Sequence, residues 1–159
     1  MGTVQTGLAG EFYVLAQLAH RGYIGTLTLG NTKNVDIVVF NPATKRYWRL
    51  EVKTTREAAK NEKLFSNEKL FIWQLTQKHE AISEPDLVYC FVALSSPDVQ
   101  PKFFLVPSAT VAKYAAWEHK HWLKAPHKRA VKDTEQRKFR IEMSDPKGFA
   151  SNWAILDGT

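Results

Sequence analysis

Two short segments with strand-like composition, separated by a five-residue turn, constrain the fold most strongly. Residues 35–40 are mostly apolar and β-branched, residues 50–53 of the segment 46–53 alternate between apolar and charged side chains, and the turn between the segments contains Asn41 and Pro42. Asparagine and proline both favour tight turns, because asparagine bonds to nearby backbone and proline presets φ. The sequence therefore predicts an antiparallel β-hairpin.

The register of this hairpin decides which polar side chains meet. If Phe40 pairs with Tyr47, antiparallel pairing places Asp36 directly opposite Glu51. Strand side chains alternate between faces, so Lys53 shares the face of Glu51. A slip of one residue would send Asp36 to the other face. With this register, two carboxylates and an ammonium share one small patch.

A close acidic pair among apolar residues needs a counter-ion. Like charges placed opposite each other destabilise a sheet, and Asp36 and Glu51 have mostly apolar neighbours in sequence. Carboxylate oxygens are hard ligands that suit Mg²⁺. A divalent-metal site on the hairpin is the functional interpretation, and an ordinary charged strand face is the structural alternative.

Glu11 adds a third carboxylate. Val4, Leu8, Leu15 and Leu18 follow helical spacing, and Glu11 falls in the same predicted apolar stripe. Carboxylates are rarely buried unless they are paired or bound to something. An acid in the first turn would suit the helix dipole, but Glu11 lies about two turns into a helix beginning near Val4. A functional role is favoured.

The remaining segments predict an α/β domain around one mixed sheet. Helices are expected over 4–21, 68–82 and 108–123, with a short last helix opened by Asp145 and Pro146. Strands are expected over 23–29, 35–40, 46–53, 87–94 and 102–106, with an edge strand over 139–143. Residues 1–159 are interpreted as a single domain with a basic C-terminal extension from about 107.

Basic residues are concentrated near the C-terminus. The chain has 22 basic and 16 acidic residues, for a net charge of +6. Between Lys113 and Arg140 there are nine basic residues and three acidic ones. Such a patch attracts a polyanion, although a solvated face that maintains solubility is equally compatible with charge alone.

The sequence also indicates a cellular setting. It contains no apolar run long enough to span a membrane and no secretory signal pattern. The single cysteine, Cys90, lies in an apolar run, which predicts a buried thiol. A cytoplasmic protein without membrane association is expected.

The order of these polar residues is Glu11, then Asp36 in the run 35–39, then Glu51-Val52-Lys53. This pattern resembles the PD-(D/E)XK nuclease superfamily of restriction-endonuclease-like and Holliday-junction-resolvase-like enzymes. The resemblance covers roughly residues 7–94. It departs from the motif at Val35, which stands where the motif has proline, although that proline is often absent in the family. It implies a restriction-endonuclease-like core, a mixed central sheet flanked by helices in the order α-β-β-β-α-β.

The resemblance also implies roles at individual positions. Asp36 and Glu51 would be metal ligands, with the carbonyl of Val52 as a third and Glu11 bound directly or through water. Lys53 would orient the attacking water or stabilise charge on the phosphate. The implied cofactor is Mg²⁺, with Mn²⁺ as a substitute. The implied activity is endonuclease-type hydrolysis of DNA phosphodiester bonds.

The expected partner is duplex or branched DNA, and a homodimer is a modest preference. Gln74 lies where some branches of the superfamily place a glutamine near the site, and each DNA-contacting assignment has an ordinary structural alternative. The candidate DNA-binding residues are Lys33, Asn34, Thr54, Thr55, Gln74, Lys128, Arg129 and Lys132.

Two other functions stay open, and two groups of side chains have their own interpretations. The chain could be a catalytically silent DNA-binding module of the same fold, or an interaction protein without enzymatic activity. The spacing of His119, His121 and His127 matches no standard zinc pattern and favours surface or packing roles. Trp117 and Trp122 flank basic residues and could stack on unpaired bases.

Overall fold

A mixed five-stranded sheet forms the centre of the molecule. The computed structural model describes residues 2–28, 34–127 and 129–158. The elements are α1 (Thr3–His20), β1 (Ile24–Leu27), β2 (Ile37–Asn41), β3 (Arg46–Thr55), β4 (Lys60–Asn61), β5 (Lys69–Thr76), β6 (Leu87–Ala93), β7 (Lys102–Pro107), α2 (Ser108–Lys124) and β8 (Gln136–Glu142). Two short 3-10 helices cover Gln77–Ala81 and Trp153–Asp157.

Strand pairing defines two sheets. The central sheet has the order β1-β2-β3-β6-β7, in which β3 and β6 are parallel and all other neighbours are antiparallel. A smaller antiparallel sheet has the order β4-β5-β8. A parallel pair requires a crossover, and here the crossover between β3 and β6 contains β4, β5 and the Gln77–Ala81 helix.

The central sheet separates two hydrophobic cores. On one face, Val14 and Leu18 of α1 pack with Leu50 and Val52 of β3. On the other face, α2 and the smaller sheet cover β6 and β7, and Trp73 of β5 joins this second core. The indole Nε1 of Trp73 donates to the carbonyl of Val92, 3.0 Å away, and so fixes the smaller sheet to β6.

The predicted helix over 68–82 is wrong. The segment forms β5 followed by the 3-10 helix Gln77–Ala81. Leu70, Phe71, Ile72 and Trp73 are all buried, because both faces of β5 are covered. A strand buried on both faces loses its two-residue alternation and gives a continuous apolar run that periodicity does not distinguish from a helix. The expected α-β-β-β-α-β order therefore fails between β3 and β6.

The predicted apolar stripe of the first helix is also wrong in part. The buried residues of α1 are Gly10, Val14 and Leu18. Val4 and Leu8, which were expected to be buried, are 73% and 45% exposed. The buried positions of α1 therefore begin at Gly10 and continue toward its C-terminal end.

Most other predicted elements are confirmed, including both long helices, the hairpin and an edge strand near the C-terminus. The short last helix occurs at Trp153–Asp157 instead of after Asp145. Asp145 has a positive φ of 48°, which ends β8 in a turn, and its Oδ2 accepts the Ala150 N–H at 2.7 Å. Cys90 is fully buried, as expected, and burial raises the pKa of its thiol.

Residues beyond 107 contribute to both cores. Val111 and Ala115 of α2 and Phe139 of β8 belong to the second core. Trp153 and Leu156 belong to the first. Among the described residues, no helix is both long and apolar enough to cross a membrane.

Candidate functional site

The predicted hairpin register is confirmed. Phe40 pairs with Tyr47, and Ile37 pairs with Leu50. Asp36 immediately precedes β2, where its N–H donates to the carbonyl of Leu50 at 2.8 Å. Continuing the same register brings Asp36 level with Glu51.

The carboxylate of Asp36 points back across the hairpin. Its Oδ2 accepts the backbone N–H of Val52 at 2.7 Å. Burial is the largest cause that raises the pKa of Asp36, and the negative charge of Glu51 raises it further. The Val52 N–H and Lys53 oppose this shift without cancelling it. Asp36 is therefore a desolvated carboxylate beside a second acid.

Glu51 is buried, with a side chain only 4% exposed. Its Oε1 lies 2.5 Å from the Lys53 Nζ and 3.7 Å from the His79 Nε2. Burial alone would raise the pKa of Glu51, but His79 and Lys53 lower it to about 2. Glu51 thus stays ionised at neutral pH. Its other oxygen, Oε2, is enclosed and has no hydrogen-bond partner among the described residues.

Glu11 reaches the site through a close approach of α1 to β3. A Cβ atom at Gly10 would lie only 1.9 Å from the Thr54 Oγ1, so this crossing requires glycine. The next residue, Glu11, is half-buried. Burial is the main cause that raises the pKa of Glu11; Asp36 raises it further and Lys53 lowers it. The helix glutamate therefore belongs to the same electrostatic cluster as the hairpin residues.

His79 belongs to this cluster although the sequence analysis did not identify it. It lies in the 3-10 helix Gln77–Ala81 and is 2% exposed. Its Nδ1 lies 2.9 Å from the carbonyl and 3.1 Å from the N–H of Thr76, which fixes the ring. The opposite nitrogen faces Glu51 and is buried. The prediction of a helix over 68–82 gave no reason to place His79 beside the hairpin, so the sequence offered no signal for it.

Tyr89, next to Glu51, adds its hydroxyl to the buried polar atoms of the cluster. Tyr89 is the β6 neighbour of Glu51 in the parallel register. Its ring centroid lies 5.9 Å from that of His79. The Tyr89 hydroxyl, the His79 Nε2 and the Glu51 Oε2 are all enclosed without hydrogen-bond partners among the described residues. Buried polar atoms are normally satisfied, so these three atoms have the capacity to bind a further group or water.

The predicted DNA-binding residues occupy several different places. Asn34 accepts a hydrogen bond from the Lys78 Nζ at 3.0 Å. The Thr54 Oγ1 is enclosed under α1. Thr55 is buried, and its Oγ1 accepts the Glu57 N–H at 3.2 Å. Gln74 is exposed, on the face of β5 opposite to Trp73.

Arg129 and Lys132 are exposed in the segment between α2 and β8, whereas Lys33 and Lys128 lie outside the described residues. This segment is held at two points. The His119 Nε2 lies 2.6 Å from the Asp133 Oδ1, and the carbonyl of Glu135 accepts the Gln77 N–H at 2.7 Å. The second bond places the end of this segment, which we call the basic segment, beside the short helix that carries His79.

The donor set at the site fits a hard divalent cation. Two carboxylates lie together, and Glu51 has a buried oxygen without a partner. Within residues 2–28, 34–127 and 129–158, no group of three His, Cys, Asp or Glu side chains is placed to hold a metal ion. Mg²⁺ does not require three, because it usually keeps several waters and uses one or two carboxylates together with substrate phosphates.

The arrangement of sheets and helices is shared with a solved structure. That structure is of a bacterial homing endonuclease, I-Ssp6803I, which matches with a TM-score of 0.58 and 9% sequence identity. The match covers 98% of this chain and 91% of that chain. At this identity the likeness shows a shared fold alone. Comparisons with protein-family models and with curated proteins found no match.

Proposed function

We propose that the chain is a metal-dependent nuclease that hydrolyses DNA phosphodiester bonds. The observation that carries the proposal is the convergence of Asp36, Glu51, Lys53 and Glu11 in one electrostatic cluster. These are the residues of the PD-(D/E)XK-like motif, and they come from two different parts of the chain. The fold shared with a homing endonuclease supports the same class of activity.

Asp36 and Glu51 would hold the metal, with the Val52 carbonyl as a third ligand and Glu11 bound directly or through water. A bound Mg²⁺ would acidify a water and polarise the phosphoryl oxygen. Mn²⁺ would serve as a substitute. The ionised state of Glu51 suits this role because metal ligands must be deprotonated.

Lys53 has two functions in this proposal. In the structure its ammonium neutralises Glu51. With a cation bound to Glu51, the ammonium would be free to turn toward the substrate, where it would orient the attacking water or stabilise charge that develops on the phosphate. Lys53 is 27% exposed, so its side chain has room to move.

DNA is the proposed substrate, and the basic segment that ends beside the Gln77–Ala81 helix provides the positive surface for it. A homodimer stays a prediction, which a mass measurement in solution tests.

The second candidate function is a catalytically silent DNA-binding module. It needs only a positively charged surface, to which the exposed Arg129 and Lys132 contribute.

A cleavage assay separates the two functions. Wild type, Asp36→Asn and Lys53→Met are incubated with supercoiled plasmid and with a branched oligonucleotide, in Mg²⁺, Mn²⁺ or chelator. Metal-dependent nicking that both variants lose supports the nuclease. Asp98→Asn and Lys69→Met are the matched controls, because both residues are exposed and outside the cluster. DNA binding without cleavage under all conditions would favour the silent module.

A further inference from the structure

A cleft separate from the carboxylate cluster has the chemistry of a nucleotide site. It lies between α2 and the end of β8, has a volume of about 420 Å³, and is lined by residues of both elements and of the turn 145–149. Its volume falls within the range of small-molecule sites. None of Asp36, Glu51, Lys53 and Glu11 lines it.

The walls of the cleft are aromatic. Tyr114 and Trp117 lie one helical turn apart on α2, with ring centroids separated by 5.5 Å. His121 stacks on Trp117 at 5.1 Å, with an angle of 11° between the planes, yet the Trp117 side chain remains 49% exposed. A tryptophan held by a stacked neighbour and still exposed offers a rigid flat surface for another ring.

Two lysines at the cleft have no carboxylate partner among the described residues. Lys113 precedes Tyr114 on α2 and is exposed. The Lys147 Nζ lies 6.0 Å from the centre of the Tyr114 ring. The third cation, Arg140, is held by Glu118 and Glu62 and is not available. Glu142 also lines the cleft, where it accepts a hydrogen bond from the Ser66 Oγ at 2.6 Å. The two unpaired ammonium groups are therefore the positive charges available to an anion.

Asp145 also lines this cleft and provides an acceptor. Its Oδ2 accepts the Ala150 N–H, whereas its Oδ1 is enclosed and has no partner among the described residues. The cleft thus combines flat aromatic walls, two unpaired ammonium groups and one unused carboxylate oxygen. A nucleotide has the complementary parts: a planar base, a phosphate and, in adenine, guanine and cytosine, an exocyclic amino group.

We propose that this cleft binds an unpaired nucleotide, with its base against Tyr114 and Trp117 and its phosphate beside Lys113 and Lys147. The amino group of the base donates to the Asp145 Oδ1. The positive net charge of the chain, concentrated in the same region, favours a phosphate-bearing ligand. The nucleotide can come from an unpaired strand or from a free mononucleotide, which share this chemistry. The proposal does not rest on nuclease activity.

Binding is measured in chelator, so that no turnover is needed. Fluorescein-labelled oligo(dA) and oligo(dT) of twelve residues are titrated by anisotropy, and dAMP by calorimetry. Wild type should bind oligo(dA) more tightly than oligo(dT), because thymine has no amino group for Asp145. Trp117→Ala should raise the dissociation constant for oligo(dA) about tenfold, the usual effect of losing one stacking platform, and Trp117→Phe should retain most of the affinity.

The charge contact has its own readout. Lys113→Ala should reduce the slope of log K against log salt by about 0.7, the value for one phosphate contact on a single strand. Lys120→Ala is the matched control, because Lys120 is exposed on the same helix but does not line the cleft. Equal losses in these two variants would indicate general attraction to a basic surface and overturn the proposal.

Comparing oligo(dA) with dAMP shows whether the nucleotide comes from an unpaired strand or from a free mononucleotide. Oligo(dA) binding that depends on Trp117, with negligible dAMP binding, supports an unpaired strand. Trp117-dependent binding of dAMP supports a free nucleotide. Unchanged affinity in Trp117→Ala, or equal affinity for oligo(dA) and oligo(dT), overturns the proposal. If the protein cleaves DNA and Trp117→Ala binds oligo(dA) as tightly as wild type, only the nucleotide cleft is refuted. If binding depends on Trp117 but no cleavage occurs, only the proposed nuclease is refuted.

Discussion

At the scale of single residues, Glu11 shows how the proposed site affects stability. Its pKa is raised above 4.5 by burial and then by Asp36, with Lys53 opposing the shift. In the pH window just above 4.5, Glu11 therefore binds more protons in the folded chain than in the unfolded chain. The contribution of Glu11 to stability decreases as the pH rises through that window. The carboxylate is retained at a cost to the folded state, as expected of a functional group.

Glu11→Gln should raise the melting temperature of the metal-free protein at pH 7, because it removes a desolvated charge beside Asp36. The gain should not exceed about 2–4 °C, the response of a domain of this size to 1 kcal/mol. Differential scanning fluorimetry from pH 4 to pH 8 measures it, and the gain should shrink toward pH 4. A lower melting temperature at pH 7 would contradict the assignment.

His79→Gln should weaken Mg²⁺ binding and cleavage by about 10–100-fold, the usual effect of losing a group that orients a metal ligand. The imidazole is fixed by Thr76 and faces Glu51, so its loss lets the carboxylate move. Calorimetric titration with Mg²⁺ measures the affinity directly. His127→Gln is the control, because His127 contacts the carbonyl of Trp122 instead. Equal affinities would exclude a positioning role.

At the scale of elements, the crossing of α1 over β3 sets the position of Glu11. Gly10→Ala should destabilise the fold by about 1–3 kcal/mol, the cost of overpacking a tight contact, because the new Cβ would lie 1.9 Å from the Thr54 Oγ1. Cleavage should fall as well, since α1 must shift. Gly7→Ala is the matched control, because a Cβ there meets nothing within 4 Å. Urea unfolding gives both free energies, and equal values would refute the close approach.

The smaller sheet is attached to α2 by a buried ion pair. The Arg140 Nη1 lies 2.7 Å from the Glu118 Oε1, and the two side chains are 3% and 6% exposed. Arg140→Met should cost about 3–5 kcal/mol, because it leaves a buried carboxylate unpaired. The double variant Arg140→Met/Glu118→Met should be more stable than the single one. Urea unfolding of both variants tests this, and a double variant that is less stable would show that Glu118 stabilises the fold through contacts other than Arg140, such as the Lys138 N–H that it accepts.

The elements also show how far the sequence predicts this molecule. The hairpin was predictable with its register, because its turn residues are distinctive and residues 50–53 alternate between apolar and charged side chains. The crossover was not, because burial of both faces of β5 removed the alternation. His79 was missed for the same reason. Glu11 was found, but from an apolar stripe that includes the exposed residues Val4 and Leu8. The close approach at Gly10 depends on tertiary packing, which no local pattern reveals.

At the scale of the whole molecule, the proposed metal site should couple to global stability. Mg²⁺ that binds only the folded chain stabilises it by about 2.7 kcal/mol at 100 times the dissociation constant. Wild type and Asp98→Asn should therefore melt at a higher temperature in millimolar Mg²⁺, and Asp36→Asn should show no such rise. Scanning fluorimetry with and without chelator measures the shift. A wild-type melting temperature unmoved by Mg²⁺ and Mn²⁺ would count against the site.

The parallel pairing of β3 with β6 has a kinetic consequence. The two strands meet only after the intervening chain, which contains His79, has folded back over the sheet. Closing such a loop costs entropy before any long-range contact compensates for it, and non-local topologies fold slowly. The hairpin that carries Asp36 and Glu51 can form early from local contacts. During refolding, catalytic competence should therefore lag behind the first secondary structure, since the acids are in place before their buried neighbour.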